Sequence, residues 1–127
     1  MRYASSWAIC LILFGCGAGE REARTDLPRV AGVLVIAYRP DSADTFVANR
    51  SDSVIALDWL REVTRTHHIA LEAKTYPYGT LIERIGPRQN GDGGYWLYKV
   101  NGQMVPKSSD AHTVAWGDTV TFLFDER

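Results

Sequence analysis

The chain has 127 residues, 46% of them hydrophobic and 23% charged, with a formal net charge of −1. That is enough for one globular domain and too little for two. With 14 basic residues against 15 acidic ones and no basic cluster, it lacks the Lys/Arg field that dominates nucleic-acid binding, so no nucleic-acid partner is expected.

The N-terminus carries Arg2 and then an apolar run over 7–14. A bilayer takes about 20 apolar residues to span, so this run is too short to cross and fits the core of a signal peptide. It ends in Leu13-Phe14-Gly15-Cys16, which resembles a bacterial lipobox: an aliphatic residue, two positions that are usually small, then Cys. The resemblance implies a signal peptide over 1–15, lipidation of Cys16, and anchoring to a membrane of the bacterial cell envelope on its periplasmic or extracellular face. An ordinary secretory signal and a short uncleaved anchor are the other readings of the same run. Cys10 leaves with the signal, so no thiol after Cys16 is available for a disulfide, a nucleophile or a metal site. Residues 16–29 read as a charged, solvated tether, and the domain is expected over 30–127.

Residues 30–38 predict a first strand. It is apolar on both sides, with Val33, Val35 and Ala37 opposite Leu34, Ile36 and Tyr38, and is therefore expected to be central and buried. A turn cluster over 40–44 leads to a short returning strand over 45–49. Ser51, Asp52 and Ser53 offer N-caps for a helix over 54–66. In it Ala56, Leu57, Leu60 and Val63 recur at three- and four-residue spacing as the buried stripe, and His67-His68 closes it. Strands over 69–76 and 80–85 flank Pro77-Tyr78-Gly79. The glycine-rich stretch 86–94 reads as a flexible polar loop; it lacks both the Lys-Ser/Thr of a P-loop and the carboxylate spacing of a calcium loop.

Residues 94–100 then form an aromatic strand, with Tyr95, Leu97 and Lys99 on one face and Trp96, Tyr98 and Val100 on the other. Asn101-Gly102 predicts a type I′ hairpin turn, which needs positive φ at both central residues. A short edge strand over 112–115, a turn at Trp116-Gly117-Asp118 and a last strand over 119–124 complete the chain. One helix on one face of a mixed sheet, with the last strand returning to the centre beside the first, predicts an α+β, β-grasp-like fold.

The segment Gly94-Tyr95-Trp96-Leu97-Tyr98-Lys99-Val100-Asn101-Gly102, followed by Trp116-Gly117-Asp118-Thr119-Val120-Thr121-Phe122, resembles a family of small bacterial surface domains. That family is similar to the C-terminal β-domain of the cobalamin carriers transcobalamin and intrinsic factor. The stretch from Ser53 to Leu60 resembles its helix-opening segment, and Glu83-Arg84-Ile85-Gly86 the strand before its glycine loop. In the carriers this domain closes over one face of the corrinoid. Carried over by position, the resemblance implies a ligand surface of Gly94, Tyr95, Trp96 and Tyr98, with Tyr76 and Tyr78 beside it, and cobalamin as the candidate ligand. The large helical domain of the carriers has no counterpart here.

The residues alone leave the aromatic strand open between a stacking platform and core packed on the helix, with one face expected in the core and the other partly exposed. His67 and His68 are adjacent at a helix end and cannot face one metal, and His112 has no ligand-spaced partner. No Ser-His-Asp or paired-carboxylate arrangement is visible. The expectation is therefore a non-catalytic cell-envelope binding module with no metal and no cofactor, taking a small molecule such as a corrinoid. A protein–protein interaction, through the same aromatic surface or an exposed sheet edge, or an accessory role in a surface complex, is the alternative.

Overall fold

The computed structural model describes residues 32–48, 53–115 and 117–127. The signal peptide expected over 1–15, the tether expected from Cys16, and Val30 of the expected first strand lie outside the described residues, as do Asn49, the expected caps Ser51 and Asp52, and Trp116. The described elements are, in chain order, β1 (Gly32–Arg39), β2 (Ser42–Ala48), β3 (Val54–Ile55), α1 (Ala56–Thr66), β4 (Leu71–Tyr76) and β5 (Gly79–Ile85). They continue with β6 (Arg88–Gln89), β7 (Gly94–Val100), β8 (Gln103–Met104), β9 (Thr113–Val114) and β10 (Thr119–Glu126).

The frame is a five-stranded sheet in the order β2-β1-β10-β7-β8. β1 and β10 run parallel, with Leu34 beside Val120 and Ile36 beside Phe122, and the other junctions are antiparallel. The last strand thus lies between the first strand and the aromatic one. Leu34 and Ile36, Val120, Phe122 and Phe124, and Trp96 share one core with Leu57, Trp59, Leu60 and Val63 of α1. Each such side chain, fully buried, contributes about 1.5–3 kcal/mol of transfer free energy. The fold is sheet-dominated α+β with one helix among the described residues.

Three expectations are corrected. β1 is central, but of its apolar side chains only Leu34 and Ile36 are fully buried. Val33, Val35 and Ala37 are half-buried, because they face away from the helix-covered side. The helix starts at Ala56 rather than Val54, because Val54 and Ile55 pair with Val114 and Thr113 in a separate two-stranded ribbon. Ile55 is therefore an extended N-cap (φ −72°, ψ 134°) without a side-chain hydrogen bond. The orphan N–H groups of Ala56 and Leu57 instead donate to the carbonyls of His112 and Ser109, both at 3.0 Å. The glycine-rich stretch is not all loop, since β6 pairs with Arg84 and Ile85 of β5.

The Asn101-Gly102 turn takes φ of 51° and 78°, as type I′ requires. Asn101 also ties that hairpin to the start of β10. Its Oδ1 accepts the Thr119 N–H at 2.9 Å and its Nδ2 donates to Asp118 Oδ1 at 3.0 Å.

Candidate functional site

β7 begins at Gly94 because nothing larger fits. A Cβ there would sit 2.2 Å from the Asp125 carbonyl oxygen and 2.7 Å from the Phe124 ring. On the inner face, Trp96 and Phe124 make a T-shaped pair with centroids 5.4 Å apart. Tyr98 and Phe122 stack at 5.7 Å. These are cross-strand aromatic pairs, each worth about 0.5–1.5 kcal/mol beyond the area it buries. Trp96 is buried and its indole N–H donates to the Arg88 carbonyl at 3.0 Å. Tyr98 is half-buried and its hydroxyl donates to the Lys107 carbonyl at 3.0 Å. Burial, and then the charge of Asp110, push the Tyr98 phenol above its ordinary pKa.

The outer edge of β7 faces β5 of the three-stranded β4-β5-β6 sheet, and one side chain bridges the two. Asn90 Oδ1 accepts the Trp96 N–H and Asn90 Nδ2 donates to the Ile82 carbonyl, both at 2.8 Å. Beyond Asn90 the strands part. A cleft of about 310 Å³ opens between them, with Tyr78, Thr80, Trp96, Tyr98, Ser108 and Ser109 in its walls. Ser108 Oγ accepts the Thr80 N–H at 3.2 Å and donates to the Thr80 carbonyl at 3.3 Å, closing that part of the β5 edge. Thr80 Oγ1 donates to Asp110 Oδ2 at 2.9 Å. The Ser108 and Thr80 hydroxyls beside it hold the Asp110 carboxyl below its usual range. Tyr78 stands at the rim, 76% exposed, and stacks almost parallel on Tyr76 with centroids 5.2 Å apart.

The structure brings Tyr78, Trp96 and Tyr98 to one cleft. Tyr95 belongs elsewhere: it points from the opposite face, 55% exposed, into a second hollow with Leu81, Asn90 and Gly91. Gly94 lines neither, and its place is set by the approach of β10. Sequence reasoning placed the 90–94 loop in the ligand surface but missed Thr80, Ser108 and Ser109. The Thr80 contacts to Ser108 and Asp110 join residues 28 and 30 apart, so no local pattern carries them. Among the described residues no three of His, Cys, Asp and Glu come together as a metal site, and no helix is long and apolar enough to cross a membrane.

A model of a domain of unknown function, DUF4430, matches residues 62–126. The chain belongs to the DUF4430 family. The matched segment contains both strands of the cleft and the Asn90 bridge. No match was found among curated proteins. Sixteen solved chains are similar, among them the crystal structure of a candidate metal binding protein from Ruminococcus gnavus. It is 15% identical to this DUF4430 chain, with a TM-score of 0.59 over 76% of this chain and 97% of that one. At that identity the likeness shows the fold alone.

Proposed function

We propose that this DUF4430 protein is a non-catalytic binding module of the bacterial cell envelope, held there by a lipid on Cys16, and that it takes a small ring-bearing molecule in the cleft between β5 and β7. The observation that carries the reading is the concavity itself. Tyr78, Trp96 and Tyr98 surround about 310 Å³, at the lower end of the range for ligand pockets. Such a cleft holds one ring or side group. A corrinoid, the candidate named by the resemblance to the cobalamin carriers, would rest on it with part of one face covered and the remainder outside. The order of the central sheet and the one helix among the described residues support the β-grasp-like layout that the same resemblance implies. The Ruminococcus gnavus relative is described as a candidate metal binder; a metal site in this chain has less support, given the absence of a three-ligand cluster among the described residues.

The test is a tryptophan-fluorescence titration of the purified protein with cobalamin and cobinamide, repeated with Tyr78→Ala. Tyr78 is chosen because it is mostly exposed, whereas truncating the buried Trp96 would cost about 3–5 kcal/mol of stability. Saturable quenching is expected, weakened up to about tenfold in Tyr78→Ala, the worth of one aromatic stacking contact. No saturable change up to about 1 mM, equivalent to about 4 kcal/mol of binding, would remove the corrinoid. The second reading would then lead: a protein partner adding a strand to β2. Among the described residues β2 pairs only with β1, and its Val47 is 64% exposed.

A further inference from the structure

We propose that the cleft takes an uncharged ring compound carrying a hydroxyl group, and that Ser109 Oγ is the atom that recognises the hydroxyl. The inference rests on the reading of the cleft as a ligand site. It starts from a contrast between the two buried polar side chains among the described residues, Thr64 and Ser109. The Thr64 hydroxyl donates to the Leu60 carbonyl at 2.8 Å. Ser109 is only 4% exposed, yet among the described residues nothing hydrogen-bonds its hydroxyl. A buried hydroxyl without a partner forfeits the bonds it makes in water, and native chains rarely leave one so. Such a group calls for a partner from outside the chain.

The cleft is where that partner fits. Ser109 stands in its wall. Among the described residues the side-chain atoms both enclosed and unpartnered are the Nε of Arg84 and Arg88, Asp110 Oδ1 and His112 Nε2. Ser109 Oγ is not one of them, so it opens on the cleft that the residue lines. The backbone around it is tied down: the Ser109 carbonyl accepts the Leu57 N–H at the start of α1, and the Lys107 carbonyl accepts the Tyr98 hydroxyl, each at 3.0 Å. These contacts fix the serine and leave its side chain out. The other polar side chains inside the rim are engaged, Ser108 with Thr80, Thr80 with Asp110, and the Trp96 indole with the Arg88 carbonyl. Ser109 offers one donor and an acceptor oxygen, which a ligand hydroxyl matches in either direction. Trp96 and Tyr98 supply aromatic walls for the ring. Among the described residues no Lys, Arg, His, Asp or Glu lines the cleft, and a charge drawn into it would lose water without gaining a counter-ion. After burial, the charge of Asp110 is what raises the Tyr98 phenol, so an anion meets repulsion as well.

The experiment is a ¹⁵N-correlated NMR titration of the whole protein with phenol, toluene and benzoate, in the parent and in Ser109→Ala, with a urea unfolding curve for each protein. Phenol is expected to shift the Ser109 amide and Trp96 indole resonances saturably. It should bind about tenfold more tightly than toluene, the worth of one neutral hydrogen bond, and more tightly than benzoate. Ser109→Ala is expected to remove that advantage and leave toluene binding unchanged. Its urea midpoint should stay at or above the parent's, because no bond within the chain is lost. Toluene or benzoate binding as tightly as phenol, a phenol advantage that survives in Ser109→Ala, or a lowered midpoint in that variant would overturn the proposal and leave the cleft reading standing. Probes that shift no resonance around the cleft would overturn both.

Discussion

Asn90 holds two sheets together with one side chain, and Gly94 lets two strands touch. Asn90→Ala leaves the Trp96 N–H and the Ile82 carbonyl without partners, which should cost about 1–3 kcal/mol. A lowered urea midpoint, with faster hydrogen exchange at the Trp96 amide, is the expected readout. Gly94→Ala forces a methyl group against the backbone of Asp125 and should cost at least about 1–3 kcal/mol, although the residue touches no part of the cleft. Tyr78→Ala should leave the midpoint within about 0.5 kcal/mol of the parent. The aromatic members of the site were legible, because Trp and Tyr concentrated in one strand stand out in any sequence. The bridging role of Asn90 was not, since a single amide in a glycine-rich stretch looks like loop chemistry until both strands it joins are in place.

α1 behaves as its periodicity predicts on its flank and departs from it at its start. The stripe of Ala56, Leu57, Leu60 and Val63 is buried, so Leu60→Ala should cost about 2–5 kcal/mol in chemical denaturation. Asp58 and Arg61 form an exposed pair at 3.5 Å, and Asp58→Ala should change stability by less than about 1 kcal/mol. A serine cap at the helix start would be worth about 1 kcal/mol. Because the helix begins after Ile55 with no side-chain cap, Ser53→Ala is expected to stay within about 0.5 kcal/mol. A measured loss near the capping value would show that the helix starts earlier. Apolar spacing is a local signal and marks the buried face. The ends depend on whether Val54 and Ile55 find a strand partner, and that partner, β9, lies some sixty residues downstream.

The assembled sheet also sets how the whole protein responds to alkali. Tyr38 on β1 packs edge-on against Trp96 at 6.0 Å. Burial first, then the charge of Asp44 and a hydrogen bond to it, push its phenol up to about 12. A phenol that stays protonated longer in the folded chain than in the unfolded one contributes stability that is complete below the ordinary pKa near 10. That contribution is lost as pH rises from there toward 12. The urea midpoint should therefore fall as pH rises from 10 to 12, and less steeply in Tyr38→Phe. Read alone, the sequence settles what depends on neighbours in the chain: the amphipathic stripe, the Asn101-Gly102 turn, the alternation of the aromatic strand, and a helix-plus-sheet composition. Tertiary structure alone decides what depends on distant segments meeting. It draws Val54 and Ile55 into a ribbon, sends Tyr95 and Tyr98 to different hollows, and opens a cleft where β5 and β7 part. The reason is that periodicity assigns side chains to faces, whereas a cleft exists only between edges, and which edges face each other is fixed by contacts far apart in sequence.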